Sequence, residues 1–488
     1  MKLQLKSLLF LFIFTSCVSK QIPPPEPLAP IPYARQLAWH ELEYYGFLHF
    51  TMNTFTDKEW GYGDESPALF NPTDFDANEI VRLAKEVGMK ALILTAKHHD
   101  GFCLWPSQYT AHSVKNSPWK NGKGDVVKEF AEACRSHGLK FGVYLSPWDR
   151  NHKDYGKPEY VTYYRNQLHE LLTNYGEIFE VWHDGANGGD GFYGGARESR
   201  TIDRRTYYDW PATWALVRQL QPNAVIFSDV GPDIRWVGNE KGCAGETCWA
   251  MYDPVGVNGD APAPGYTRDK EGIEGHRDGK HWLPAECDVS IRPGWFYHAS
   301  QDSLVKSPEK LFELYFQSAG RNGSLLLNVP PDRRGRFHEN DVNALRGFKS
   351  LLDQTFVRDF AVGAKVTASN VRGNDRRFAA NNIIDGKKGT YWAADDSVTI
   401  ASLVFTLPKQ EAFNCVMLQE HIALGQRVEA FEVERWDGND WVKIASGTTI
   451  GYKRLLRFPN VATGKIRVNI RQAKACPVIS KMGIFLAP

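Results

Sequence analysis

The chain has 488 residues, about three average domains or fewer if one is a large barrel, and its 58 Lys+Arg nearly balance its 57 Asp+Glu. A formal net charge of +1 argues against a protein that binds nucleic acid or an anionic membrane through bulk electrostatics. The 42% hydrophobic and 24% charged residues are typical of a globular protein and argue against disorder or a polytopic membrane protein. The aromatic content of 13% fits either sugar binding or aromatic-rich cores.

Residues 1–17 have the pattern of an export signal. Two lysines precede an apolar run over 8–14, which is too short to span a bilayer. The run ends in Phe-Thr-Ser-Cys, which resembles a bacterial lipobox, so we predict a lipoprotein signal peptide with lipid on Cys17. An ordinary signal peptide with cleavage nearby is the alternative. The prolines of 18–34 favour an extended tether rather than a packed element. We therefore expect a periplasmic or outer-membrane lipoprotein of a bacterium, held to the membrane only by its lipid.

The cysteines give no sign of a metal site. Seven remain after Cys17, and their odd number and scattered spacing do not fit zinc ligation. We interpret most of them as buried small apolar residues. Because export permits disulfides, two disulfide bonds remain as alternatives, Cys243–Cys248 and Cys415–Cys476. Nothing in the sequence indicates a metal or an organic cofactor.

Between residues 35 and 356, short apolar runs alternate with amphipathic segments. Helices are predicted over 77–88 and 126–138, where apolar residues recur at helical spacing before a final glycine. Strands are predicted over 44–51, 91–98, 141–147, 178–185, 224–230 and 324–330. This alternation indicates a parallel sheet. Its length favours an α/β fold of the (β/α)8, TIM-like barrel type over an open sheet, and no Gly-rich dinucleotide turn follows the first strand.

Residues 253–281 are dominated by glycine, proline and charged residues, which predicts a long loop. If the loop lies on the active-site face, it is a candidate lid. A passive insertion is the alternative.

Residues 357–488 change in character. Short alternating segments separated by turns predict an antiparallel β-sandwich. The predicted strands are 364–370, 402–407, 416–421, 430–436, 441–446 and 465–470. The segment 383–394, with its Asp-Gly and Thr-Tyr-Trp motifs, resembles discoidin or coagulation-factor type carbohydrate-binding modules. Those motif residues are largely structural in such modules, so sugar binding and a buttressing role both stay open.

Polar and aromatic residues recur where the predicted barrel strands end. Active sites of such barrels form at the carboxyl ends of the strands. The residues at these positions are His49, His98 and His99, Tyr144, and Asp184.

Three kinds of hydrolysis can be compared for such a site. Metal-dependent hydrolysis is disfavoured, because neighbouring residues such as His98 and His99 point to opposite faces of a strand and no HExxH motif is present. A serine hydrolase would need a GxSxG-type turn, which is absent. Paired carboxylates in an aromatic-lined barrel mouth fit glycoside hydrolysis. Asp184, followed by a glycine-rich loop, is the first candidate, with a helix-capping role as the alternative.

Six motifs in fixed order carry a family resemblance. They are FLHFTMNTFTDKEWG (47–61), LTAKHHDGFCLWPS (94–107), FGVYLSPWD (141–149), VWHDGA (181–186), RWVGNEKG (235–242) and LLLNVPPDRRG (325–335). Over residues 35–355 the chain resembles glycoside hydrolase family 29, the retaining α-L-fucosidases. The resemblance implies that Asp184 is the nucleophile. It also implies sugar contacts by His49, Glu59, Trp60, His98, His99, Tyr144, Trp295 and Arg235.

The acid/base is less uniform in its position within this family. The RWVGNEKG motif resembles the branch in which Glu240 would take that role, and Glu246 and Glu286 are the alternatives. This branch prefers α1,3/1,4-linked fucose, so the expected partner is a fucosylated oligosaccharide or glycoconjugate. A fucose-binding lectin on the same scaffold and a glycosidase for a fucose-like sugar are the alternative functions.

Overall fold

Eight parallel strands close into a barrel in the computed structural model, which describes residues 22–488. Each strand pairs with the next one along the chain, and the last pairs with the first, with Leu325 opposite Tyr44. The strands are β1 Tyr44–Leu48, β2 Ala91–Lys97, β3 Lys140–Leu145, β4 Glu180–Trp182, β5 Val225–Ser228, β6 Ile234–Trp236, β7 Ala285–Ser290 and β8 Ser324–Asn328. The predicted TIM-like barrel is confirmed.

Helices surround the barrel, and their ends follow from local sequence. They are α1 Ala34–His40, α2 Met52–Thr56, α3 Ala77–Glu86, α4 Val126–His137, α5 Pro158–Asn174, α6 Trp210–Leu220, α7 Pro308–Gln317 and α8 Glu339–Phe356. Helix α4 begins where the Asp125 side chain accepts a hydrogen bond from the Lys128 amide, 2.9 Å away. It ends at Gly138, whose φ of 73° is the left-handed conformation that glycine adopts readily.

Strands β6 and β7 were not predicted, and both lack the signal that revealed the others. Strand β6 has only three residues. Strand β7 carries Glu286 and Asp288 on its inward face, so charged residues stand where apolar ones are expected. Within the described chain, no α-helix separates β5 from β6 or β6 from β7. The barrel therefore departs from strict strand–helix alternation beside the loop that precedes β7.

Residues 22–33 were predicted to form an unpacked tether, and the structure differs. The Leu28 amide donates to the Leu424 carbonyl at 3.0 Å, and Arg372 Nε donates to the Pro23 carbonyl at 2.7 Å. Helix α1 then covers the amino-terminal end of the barrel, where Trp39 packs in the interior core. Buried arginine donors on the sandwich explain why this proline-rich stretch is packed. The predicted signal peptide, Cys17 and the start of the tether lie outside the described residues.

The sandwich is antiparallel, as predicted. Its strands are β9 Lys365–Ala368, β10 Trp392–Ala393, β11 Ala401–Glu420, β12 Val428–Trp436, β13 Trp441–Gly447, β14 Arg454–Ala473 and β15 Val478–Phe485. They are ordered β10-β15-β11-β14-β12-β13, and β9 pairs with β11. The two predicted strands 402–407 and 416–421 are parts of β11, whose register shifts between Thr406 and Glu411. Polar residues at that irregularity gave the sequence the appearance of a turn.

All seven cysteines among residues 22–488 are free thiols, so neither open pair forms a disulfide. Six are buried, which matches their interpretation as small apolar residues. Cys243 instead contacts Gln317 Oε1 at 3.0 Å. Over the same part of the chain, no helix is long and apolar enough to cross a membrane.

Candidate active site

A cavity opens at the carboxyl ends of the barrel strands and gathers nine of the ten predicted site residues. These are His49, Glu59, Trp60, His98, His99, Tyr144, Asp184, Glu240 and Trp295. The sequence reasoning missed four further lining residues, Phe47, Trp182, Ala186 and Asp288. The strand ends and the loops after β1, β6 and β7 therefore supply one common site.

Asp184 is held in one orientation just beyond β4. Its Oδ2 accepts a hydrogen bond from the Tyr144 hydroxyl at 2.9 Å, and its Oδ1 accepts one from the Ala186 amide at 2.6 Å. Burial raises the pKa of Asp184, and the two hydrogen bonds oppose this by favouring the ionised form. The carboxylate is thus fixed, half-buried and in contact with the cavity.

Glu240 lies on the same cavity, in the loop after β6. Its Oε2 accepts a hydrogen bond from Trp295 Nε1 at 3.3 Å. Partial burial raises the pKa of Glu240, the Trp295 bond opposes this, and the negative charges of Asp184 and Glu59 raise it further. The hydrogen bonds to Asp184 thus favour its ionised form, whereas the charge of Asp184 favours the protonated form of Glu240, and a glycosidase needs this division of roles.

The two alternatives to Glu240 lie elsewhere. Glu286 is fully buried beneath the cavity, where it accepts hydrogen bonds from Tyr45 and, at 2.8 Å, from Trp182 Nε1. Glu246 pairs with Arg321 and Arg454 at the contact with the sandwich. Neither lines the cavity, so of the three candidates only Glu240 is in a position to act on a bound sugar.

The adjacent histidines His98 and His99 both line the cavity, although neighbouring residues of a strand would diverge. Strand β2 ends at Lys97, so both residues belong to the following turn, and their ring centroids lie 4.0 Å apart. Gly101 permits this turn, because its φ is 78° and a Cβ there would lie 2.3 Å from Asp149 Oδ1.

The three histidines of the cavity are neutral. Burial lowers the pKa of His49 and of His99 to about 3, and it lowers the pKa of His98 well below the usual range. They act as neutral hydrogen-bonding groups, each with one donor and one acceptor nitrogen.

Neighbouring side chains set which nitrogen carries the proton. Ser146 Oγ donates to the Trp148 carbonyl at 2.7 Å and lies 2.7 Å from His99 Nδ1. Since the serine proton is used, His99 Nδ1 must donate, and its Nε2 is an acceptor. His49 Nδ1 likewise lies 2.9 Å from Asn328 Oδ1, which leaves its Nε2 as an acceptor. The site thus presents fixed acceptors to sugar hydroxyls.

Glu59 joins two loops at the rim. Its Oε2 accepts a hydrogen bond from the Trp295 amide at 2.9 Å, and its Oε1 lies 2.7 Å from His298 Nε2. His298 Nδ1 lies 2.7 Å from Asp57 Oδ1. Although burial favours neutral imidazole, bonds to both carboxylates raise the pKa of His298. No sequence pattern pointed to His298, because it meets Glu59 only in the folded chain.

Arg235 does not line the cavity, and its predicted role is wrong. The side chain is fully buried and donates to the carbonyls of Gly272 at 2.9 Å and Trp249 at 3.1 Å. Residues alternate across a strand, so Trp236 points into the barrel and Arg235 points outward. Arg235 holds the loop before β7 in place instead.

A second cavity adjoins the first. The two share Trp182, Asp184, Ala186, Glu240 and Asp288. The loop predicted over 253–281 contributes Val257, Gly265 and Thr267 to the second cavity. Arg204 Nη1 donates to the Gly265 carbonyl at 2.8 Å. The loop therefore lies against the site rather than away from it.

A known protein family matches the sequence over the whole barrel. The family model for alpha-L-fucosidase matches residues 33–355. The chain belongs to the α-L-fucosidases of glycoside hydrolase family 29. A second family model, the F5/8 type C domain, matches residues 365–481 and agrees with the resemblance noted in the sandwich.

Individual members of the family are similar to this chain over both of its domains. Alpha-L-fucosidase 1 of Arabidopsis thaliana is 42% identical over 492 residues, covering 98% of this chain and 93% of the relative. A glycoside hydrolase 29 family member from an unknown rumen bacterium is 46% identical, with a TM-score of 0.84, covering 95% of this chain and 78% of that one. A Ruminococcus gnavus GH29 fucosidase in complex with fucose is 31% identical, with a TM-score of 0.84, covering 96% of this chain and 97% of that one.

Proposed function

We propose that this protein is a retaining exo-α-L-fucosidase that releases terminal α1,3- or α1,4-linked L-fucose from glycans. The observation that carries the proposal is the pairing of Asp184 and Glu240 across one cavity lined by neutral histidines and aromatic rings. The relative from Ruminococcus gnavus, solved with fucose, supports fucose as the sugar. Two carboxyl groups whose surroundings favour opposite protonation states support an enzyme over a lectin.

In the first step, Asp184 attacks the anomeric carbon of fucose. The bond from that carbon to the acceptor oxygen breaks, and Glu240 gives its proton to the departing oxygen. The product is a fucosyl ester on Asp184. Retention of configuration needs the two carboxyl groups about 5–5.5 Å apart.

In the second step, Glu240 takes a proton from water, and the water oxygen displaces Asp184 from the anomeric carbon. The change of role follows from charge. Once Asp184 is esterified, its negative charge no longer raises the pKa of Glu240. Glu240 is then a stronger acid, and its carboxylate can act as the base.

Fucose binding would use the remaining cavity residues. The Nε2 atoms of His49 and His99 are acceptors for sugar hydroxyls, as derived above. Trp60 and Trp295 offer ring surfaces for the apolar side of the sugar.

The linkage preference is supported by the RWVGNE sequence around Glu240 and by the second cavity beside it. That cavity includes Arg204, Asp229 and Trp236, which suit the hydroxyls and ring faces of an acceptor glycan.

The experiment is to measure fucose released from a Lewis-type trisaccharide, an α1,2-fucosylated trisaccharide and an aryl α-L-fucoside. The result expected is release from the Lewis-type sugar and the aryl fucoside, with little from the α1,2 isomer. Equal release from both isomers would contradict the linkage preference. Fucose binding without release from any of the three would favour the lectin, and faster hydrolysis of an aryl α-L-galactoside than of the aryl α-L-fucoside would favour the related glycosidase.

We also propose that the mature enzyme is a lipoprotein exported to the periplasm or outer membrane of a bacterium. The support is the Phe-Thr-Ser-Cys sequence at Cys17. Labelling with a radioactive fatty acid in a bacterial host should mark the wild type and not Cys17→Ala. Equal labelling of both, or of neither, would contradict the proposal.

A further inference from the structure

Asp288 is a third carboxyl group at the boundary of the two cavities, and the mechanism above does not use it. It lies on β7, is 3% exposed and lines both cavities. Its Oδ1 accepts a hydrogen bond from Trp236 Nε1 at 2.7 Å. A buried carboxyl group is costly unless its hydrogen-bonding capacity is used, and a ligand in either cavity can bond to this one.

The position of Asp288 indicates which part of the substrate it meets. The residues shared by both cavities include Asp184 and Glu240, so the bond that is broken lies at this boundary. Trp236, the partner of Asp288, lines only the second cavity. Since fucose would occupy the cavity with the histidines, Asp288 faces the sugar on the other side of the bond.

We infer that Asp288 is a specificity-determining residue that hydrogen-bonds a hydroxyl of the acceptor sugar next to the scissile bond. The inference rests on the proposed fucosidase function and deepens it. An acceptor that is a sugar offers this hydroxyl, and an aryl leaving group does not. Asp288 therefore selects for true oligosaccharides over simple fucosides.

The protonation of Asp288 supports this role. Burial raises its pKa well above the usual range, and Glu240 and Glu286, when ionised, raise it further. Asp288 is then a neutral acid that can donate a hydrogen bond.

The test compares Asp288→Asn and Asp288→Ala with the wild type on two substrates, an aryl α-L-fucoside and the fucosylated trisaccharide that the wild type cleaves fastest. Asparagine is nearly the same size and still donates a hydrogen bond, so it is the matched control. For Asp288→Ala, the loss of kcat/KM on the trisaccharide should exceed the loss on the aryl fucoside by about tenfold. For Asp288→Asn, the ratio of the two kcat/KM values should stay close to that of the wild type.

Equal losses on both substrates in Asp288→Ala would overturn the inference, because a purely structural role predicts them. A loss in Asp288→Asn as large as in Asp288→Ala would also overturn it, since it would mean that an ionised carboxylate is required. If the wild type cleaves the aryl fucoside and no trisaccharide, the inference fails and the fucosidase activity stands. If the wild type cleaves neither, the proposed function itself fails.

Discussion

The barrel interior holds carboxyl groups in two layers, and they differ in what surrounds them. The lower layer contains Glu180 and Glu286, which are fully buried and line neither of the two cavities described above. The upper layer contains Asp288, two residues later on β7, and Asp184, which follows the end of β4, and both border the cavities. Moving a carboxyl group two to four residues along the chain changes it from a part of the core into a part of the site.

The difference between the layers shows that burial alone does not make a catalytic group. Burial raises the pKa of both Glu180 and Asp184. Asp184 additionally receives hydrogen bonds that favour its ionised form, and it can reach a ligand. Perturbed protonation indicates function only where a cavity gives substrate access. We therefore expect upper-layer changes to affect activity and lower-layer changes to affect stability.

The largest effect should come from Asp184→Asn. The amide keeps the size of the side chain and removes the nucleophile, so no fucosyl ester can form. We expect kcat/KM on every fucoside to fall by at least about a thousandfold with little change in thermal stability. Steady-state kinetics and thermal unfolding of the same preparation measure both quantities. If Asp184→Asn lost activity because it unfolded, the upper layer would affect stability as the lower layer does, and the distinction between the layers would fail.

Glu240→Gln should cause the next largest loss, and its size should depend on the leaving group. A poor leaving group such as a sugar needs the proton, so we expect a loss of about 100-fold or more on a trisaccharide. An aryl fucoside with an acidic phenol needs it less and should lose less in the step that forms the ester. Pre-steady-state kinetics on the two substrates separate these steps. Identical losses on both substrates at that step would argue against Glu240 as the acid.

In the lower layer, Glu180→Gln should change the pH dependence of stability rather than activity. Burial, and then the charge of Glu286, raises the pKa of Glu180 well above its usual range. The folded state therefore keeps a proton that the unfolded state loses above its ordinary pKa of about 4.3, so wild-type stability falls as pH rises from there, by about 1.4 kcal/mol per pH unit until the folded group ionises.

Glutamine carries no such proton, so the variant should lose less stability than the wild type between about pH 5 and pH 8. Thermal unfolding at the two pH values measures this. Parallel decreases in the two proteins would show that Glu180 does not contribute to the slope.

The smallest effect on activity is expected for Glu246→Ala, because Glu246 lies outside both layers. Its side chain is 67% exposed and pairs with Arg321 and Arg454 between the barrel and the sandwich. Because the Arg454 side chain is only 2% exposed, losing its carboxylate partner should cost about 1–3 kcal/mol of stability and leave kcat unchanged. Kinetics on the trisaccharide check this, and a loss as large as that of Glu240→Gln would return Glu246 to the role of acid/base.

Local patterns predicted much of the fold and five lining residues, because apolar runs mark buried strands and polar residues mark their ends. The family resemblance alone pointed to four more, Glu59, Trp60, Glu240 and Trp295. The residues that were missed or misplaced lie on strands without an apolar run or on very short strands. Every second residue of strand β7 is polar and points into the barrel, so the strand has no apolar run. The sequence analysis therefore missed both the strand and Asp288. The side on which Arg235 lies depends on the register of a three-residue strand. A period-two reading of Glu286, Asp288 and Ser290 was the one signal that pointed to β7.

The most direct test of the account is to trap the covalent intermediate. A 2-deoxy-2-fluoro-α-L-fucosyl fluoride should form an ester that breaks down slowly, because the fluorine destabilises the transition states while the good leaving group still permits the first step. Proteolysis and mass spectrometry of the trapped enzyme locate the sugar. The account predicts an ester on Asp184. An ester on Glu240 or Asp288, or turnover with inversion and no ester, would contradict it.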